Sequence, residues 1–153
     1  MLESVDSGND IEGLIVSPLK QIVDARGKVM HMLRCDSAMY HKFGEIYFSQ
    51  INPGVVKAWK KHFKMTQNIA VPIGCVDIVL YDDRYMSKSC GLVNKFEIGE
   101  NEYNLIQIPP LVWYGFKAIS DIPALVVNCT DLPHDPEEVI RYNKNDTRIP
   151  YQW

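Results

Sequence analysis

No apolar run in this 153-residue chain approaches the roughly 18 residues a helix needs to cross a bilayer. Residues 1–6 are acidic and hold no basic stretch leading into an apolar one. A signal peptide is therefore not expected, and a cytoplasmic protein is. Positive charge is in short supply: 16 Lys plus Arg face 19 Asp plus Glu, a net charge of −3. Neutralising a phosphate backbone needs the opposite balance, so nucleic acid is not an expected partner. Cysteine is sparse and scattered. Cys35, Cys75, Cys90 and Cys129 form no CxxC pair, so they do not read as a zinc site; they are expected to be reduced and mostly buried. Repeats, linkers and low-complexity tracts are also missing. What remains is a globular composition, 46% hydrophobic and 23% charged. A chain of this length buries roughly 70% of its unfolded surface, so one domain over residues 1–153 is expected.

The hydrophobic period is that of strands. Residues 45–51 are β-branched and aromatic and end at Asn52-Pro53-Gly54. Further strands are expected over residues 55–59, 68–72, 76–81, 96–98, 104–108 and 124–129, separated by turns such as Ile73-Gly74 and Gly99-Glu100-Asn101-Glu102. Helix signals are few. The best is residues 135–141, with Asp135 as N-cap and Pro136 at the first helical position. The expected architecture is all-β: a two-sheet jelly roll with a short helical piece near the C-terminus.

Residues 54–67 are unusual, because Lys57, Lys60, Lys61, His62 and Lys64 crowd around Trp59. A solvated edge strand would account for that charge, since edge lysines block aggregation. Lys60 and His62 would share a strand face. The spacing says more. Gly54, Lys60-x-His62, Gln67 and Gly74 have the separations of the first cupin motif, and Pro109-x-Leu111-x-x-Tyr114 sits where the second motif has Pro-x-Gly-x-x-His. The chain thus resembles a cupin, a double-stranded β-helix. Its usual ligand positions read Lys60, His62, Gln67 and Tyr114. Only His62 suits a first-row metal, and an ammonium repels a cation, so no metal is expected.

Within the cupins the chain resembles the dTDP-4-dehydrorhamnose 3,5-epimerase (RmlC-like) family, from about Ile15 to the C-terminus. Asp24-Ala25-Arg26-Gly27 is similar to the family's Asp-x-Arg-Gly. Gln50-Ile51-Asn52 and Gly54-Val55-Val56-Lys57-Ala58-Trp59 resemble its Gln-x-Asn and Gly-Val-Leu-Arg-Gly-Leu stretches. Residues 108–116 resemble its Ile-Pro-x-Gly-x-x-His-Gly-Phe, and Cys129-Thr130-Asp131 and residues 146–151 match as well. The resemblance implies proton abstraction beside the C4 ketone of a nucleotide-linked 4-keto-6-deoxyhexose, with the enolate stabilised by a cation and reprotonated from the other face. It implies a dTDP-sugar substrate, no cofactor and a homodimer that exchanges strands.

The family's acid/base positions are substituted here. Its base His falls at Lys60, its cationic Lys at Gln67, its second His at Tyr114, its acid Tyr at Val127, and the Arg of its Gly-Val-Leu-Arg stretch at Lys57. The catalytic candidates are His62 as base, Lys60 as enolate cation or alternative base, and Tyr114 as proton donor. The substrate-binding candidates are Arg26 on the diphosphate, together with Gln50, Lys57, Gln67, Asp131 and Trp113. Asp131 could orient a histidine or cap a turn; Trp113 could stack on the base or lie in the core; Trp59 reads as core. His31, His41 and His134 read as surface, packing or loop residues. Three activities stay open: an epimerase with a relocated base, a different isomerisation of the same substrate class, and a non-catalytic sugar-nucleotide-binding protein in a polysaccharide pathway.

Overall fold

The computed structural model describes residues 10–153; the opening stretch read for a targeting signal lies outside the described residues. The strands are β1 (Ile15–Pro18), β2 (Gln21–Asp24), β3 (Gly27–Met30), β4 (Glu45–Ile51), β5 (Val56–His62), β6 (Gln67–Ile73), β7 (Cys75–Asp82), β8 (Val93–Gly99), β9 (Asn104–Ile108), β10 (Val112–Ala118), β11 (Ala124–Thr130) and β12 (Val139–Arg141). They form two antiparallel five-stranded sheets, in the orders β1-β9-β6-β11-β4 and β12-β5-β10-β7-β8, and a β2–β3 hairpin. This is the all-β jelly roll expected from the sequence. No helix among the described residues is long and apolar enough to cross a membrane.

The inner faces of the two sheets close on an aliphatic core that includes Ile51, Ile69, Val71, Ile78, Leu80, Ile106 and Val126. A second cluster lies on the outer face of the second sheet. There Trp59, Val79 and Trp113 are covered by the C-terminal tail through Tyr142, Ile149, Tyr151 and Trp153. Gly115 permits this double cover, because a Cβ there would stand 2.5 Å from Ala58 Cβ and 2.8 Å from the Trp153 ring. Gly54 and Gly74, which bracket the first motif, both turn with φ +74°, a conformation costly for residues with a Cβ. Leu111 stands where the family motif has Gly and keeps that left-handed geometry at φ +67°, its N–H donating to the His62 carbonyl at 2.7 Å.

Two expectations need correction. Residues 135–141 are not a helix. Asp135 does cap the Glu137 N–H at 2.9 Å, but only one 3-10 turn forms, Pro136–Glu138. The β-branched Val139 and Ile140 then carry the chain into β12, which pairs with β5. The cysteines are free but not mostly buried: Cys35 and Cys90 lie exposed in loops, and Cys75 and Cys129 are half-buried.

Candidate active site

Above the aliphatic floor, the inner faces of several strands turn polar. Strand alternation on β5 sends Lys60 and His62 inward and Lys61 outward. Lys61 instead pairs with Asp83 at 3.0 Å and lies over the Trp113 ring on the outer face. The same alternation on β4, fixed by buried Ile51, turns Ser49 and Tyr47 inward.

His62 Nδ1 lies 2.7 Å from Glu138 Oε2, with side chains only 9% and 10% exposed. The other Glu138 oxygen accepts the backbone N–H groups of Lys64 and Met65. Burial pushes the Glu138 carboxyl up, but these donors and the imidazole outweigh it and hold it below the usual glutamate value. A carboxylate so placed accepts a hydrogen bond from Nδ1–H, which fixes the tautomer that leaves a lone pair on Nε2. For His62 itself, burial outweighs the pull of Glu138, and Lys60 and Arg141 act with burial, so its pKa falls below the ordinary imidazole value. The ring is neutral at neutral pH, which is what a general base requires.

Lys60 is the cross-strand partner of Arg141 on β12 and of Tyr114 on β10. Burial, then Arg141 and Lys57, lower the Lys60 pKa. Among the described residues neither Lys60 nor Arg141 has a carboxylate partner. Two unpaired cations on one pocket wall suit an anionic group or a developing oxyanion.

A polar chain links this wall to the opposite one. The Tyr114 hydroxyl lies 3.4 Å from His62 Nε2 and also interacts with the Gln67 amide. Asn128 Nδ2 donates to Gln67 Oε1 at 2.8 Å and to the Tyr47 hydroxyl at 2.9 Å. Burial raises the Tyr114 phenol far above the tyrosine range.

No protein-family model matches the chain. A solved dTDP sugar isomerase from Desulfovibrio desulfuricans G20 is 49% identical, superposes with a TM-score of 0.92, and the match covers 94% of this chain and 92% of that one. The probable low-salt glycan biosynthesis epimerase Agl13 of Haloferax volcanii is 37% identical over 144 residues, 93% of this chain and 89% of that protein. The chain belongs to the RmlC-like family of sugar epimerases and isomerases. The spore coat polysaccharide biosynthesis protein SpsL of Bacillus subtilis, 30% identical over 141 residues, covers 92% of this chain and 90% of its own length.

The RmlC-like scaffold brings the four cupin positions, Lys60, His62, Gln67 and Tyr114, into this one cluster. Among the described residues no group of three His, Cys, Asp or Glu side chains stands ready to hold a metal ion. Lys57 sits at the rim, its Nζ 3.0 Å from Ser49 Oγ and 2.7 Å from the Gln50 carbonyl. The other candidates lie elsewhere. The Gln50 side chain shares the exposed outer face of β4 with Ile46 and Phe48. Asp131 accepts the Thr66 N–H at 2.8 Å, so it braces the loop before β6 rather than orienting a histidine. Trp113 faces away from Tyr114, donates to Asp83 at 2.8 Å and stacks on Tyr142 with centroids 4.2 Å apart. Trp59 is core, as expected. Arg26 is at the tip of the β2–β3 hairpin, 91% exposed and paired with its neighbour Asp24 at 2.6 Å.

Sequence reasoning missed Tyr47, Asn128, Glu138 and Arg141. Asn128 alone carried a signal, as the one amide in an otherwise apolar strand. Glu138 was masked by its place in an apparent helix start.

Proposed function

We propose that the chain is an epimerase or isomerase acting on a nucleotide-linked 4-keto-deoxyhexose, with His62 as the base. The observation that carries this reading is the buried His62–Glu138 pair, whose Nε2 lies 3.4 Å from the Tyr114 hydroxyl on the wall that also bears Lys60 and Arg141. His62 Nε2 removes the proton from the carbon beside the C4 ketone. The electron pair moves onto the ketone oxygen, and Lys60 with Arg141 stabilises the enolate. The dTDP sugar isomerase at 49% identity supports a dTDP-linked substrate, and the two curated relatives support a place in glycan or polysaccharide biosynthesis; a cytoplasmic location beside the nucleotide-sugar pool is part of the same proposal.

A homodimer is part of the same reading. Ile46 and Phe48 on the edge strand β4, and Ile22, Val23 and Val29 on the hairpin, are exposed apolar side chains that a second copy would cover. Arg26, far out on that hairpin, would then serve the partner's pocket, where its guanidinium fork fits a diphosphate.

The test is incubation in D₂O with a panel of nucleotide-linked 4-keto sugars, followed by NMR. Deuterium is expected at C3, C5 or both. A protein that binds one of these sugars tightly and exchanges none is a binding protein, and the enzyme reading fails.

A further inference from the structure

Inverting a carbon needs a base on one face of the sugar and an acid on the other. The base stands on β5, in the second sheet. Tyr114 stands on β10, the neighbouring strand of that same sheet, with its hydroxyl against the base's own Nε2. It is only 4% exposed. A donor there delivers to the face the base has just stripped. Val127, matched in sequence to the family's acid Tyr, opposes Phe48 on the outer face of the first sheet, and its inward neighbour Asn128 is an amide with no acidic proton to give.

We propose that Tyr47 on β4 is the proton donor to the sugar face opposite His62; this rests on the epimerase reading above. Strand β4 belongs to the first sheet, so Tyr47 occupies the wall across the barrel from β5. It is the direct cross-strand partner of Asn128, one residue on from Val127. Its hydroxyl oxygen accepts the Asn128 amide N–H at 2.9 Å, so its own hydrogen is uncommitted to that bond. The same N–H stabilises the phenolate that proton donation leaves behind. The Asn128 carbonyl Oδ1 is buried beside the phenol with no hydrogen-bond partner among the described residues. Tyr47 is half-buried, open enough to be reprotonated from solvent.

The step balances without a cofactor. His62 Nε2 takes the C–H proton and the pair moves to the ketone oxygen. As the carbonyl reforms, the Tyr47 O–H proton goes to the same carbon from the other side. The phenolate then takes a proton from water and the imidazolium returns one. The charged and titratable neighbours of the phenol are Glu45 on its own strand, Arg141 on β12 and Tyr114 on β10. Burial and Glu45 raise the phenol pKa, while Asn128 and Arg141 restrain the rise.

The experiment uses full-length Tyr47→Phe with dTDP-linked 4-keto-6-deoxyglucose in D₂O. The expected result is a split: deuterium still enters the substrate with retention, within about tenfold of wild type, because protonated His62 can return a deuteron. Epimer formation falls by about a hundredfold or more. Undiminished epimerisation overturns the assignment, and so does parallel loss of both steps in a folded variant. Wild-type protein that exchanges nothing overturns the epimerase reading itself, and Tyr47 with it. A second variant, 3-fluorotyrosine at position 47, keeps the packing and makes the phenol more acidic. The basic limb of its pH–rate profile should move to lower pH; an unmoved limb overturns the proposal.

Discussion

Glu138→Gln changes one atom and should disable the proposed base through its tautomer. In the native site one carboxylate oxygen is held by the Lys64 and Met65 N–H groups and the other faces His62 Nδ1 at 2.7 Å. A glutamine has one oxygen. The two backbone donors fix that oxygen in place, which turns the amide –NH₂ toward Nδ1. Nδ1 must then accept rather than donate, so the ring proton moves to Nε2 and the lone pair leaves the reacting side. The comparable loss in serine proteases, where Asp is changed to Asn, is about ten-thousand-fold; a general base contributes about a hundred- to ten-thousand-fold. A fall of at least a hundredfold in C–H exchange is therefore expected, with nucleotide binding intact. The pH profile adds a sign. Glu138 raises the His62 pKa against burial, so removing its charge moves the acid limb of residual activity to lower pH. Exchange measured in D₂O buffers across the acid-to-neutral range reads both effects. Full activity with an unmoved acid limb would refute the orientation argument.

Three further outcomes follow from single contacts. Arg26→Ala should leave the melting temperature unchanged, since its one ion pair is exposed, while lowering dTDP-sugar affinity about tenfold, roughly 1.4 kcal/mol, by calorimetry; unaltered affinity removes Arg26 from the site. Leu111→Gly relieves a left-handed residue, worth roughly 1–2 kcal/mol, against roughly 0.5–1 kcal/mol of glycine entropy, so urea melts should show a gain of up to about 1.5 kcal/mol; a loss of that size would mean that the Leu side chain's packing dominates. Asp82 is fully buried and accepts Arg84, Ser87 and Ser89, which together outweigh burial and hold its carboxyl far below the usual range. Its stabilisation is complete above the unfolded-state pKa near 4 and is lost as pH falls further, and Asp82→Asn should cost about 3–5 kcal/mol at pH 7 in denaturant melts, with a flatter acid limb.

The fold was legible where local pattern decides it. The alternation in Glu45–Ile51 and the Pro109-Pro110 stop after Ile108 set the ends of β4 and β9. Short, exposed hairpin strands such as Gln21–Asp24, whose adjacent Ile22 and Val23 do not alternate, gave no such pattern, and the strand β12 hid behind Asp-Pro-Glu-Glu, whose capping chemistry is real but supports a single turn. The four cupin positions were legible because they recur at fixed separations. Their partners were not, because cross-strand register is not written locally: Glu138 lies 76 residues beyond the histidine it orients, and Asn128 lies 81 beyond Tyr47. Two binding candidates, Gln50 and Trp113, lie outside the cluster because of the strand period. Each is one residue from an inward-facing position, and a period of two sends such neighbours to the other face.

That same period bears on how an epimerase scaffold can change its base. Position 60, which holds the base in the resembling family, is Lys here, and His62 is two residues further along β5. A two-residue step keeps the face and moves the side chain roughly 7 Å along the strand. The imidazole stays in the barrel, but needs a new carboxylate. The register between β12 and β5 supplies it: Val139 opposes His62, so Glu138 leaves the 3-10 turn beside the imidazole rather than beside residue 60. Arg141 in turn opposes Lys60 and builds a cationic pair at the vacated position. Had residues 135–141 continued as a helix, neither pairing would exist. The short strand after the turn is what ties the proposed base, its orienting carboxylate and the proposed oxyanion cations into one wall, and it should make the three substitutions Lys60→Met, Glu138→Gln and Arg141→Met non-additive in C–H exchange. The triple variant should lose less than the sum of the three single losses, as for residues that act as a unit; strict additivity would show that the wall is three independent contacts.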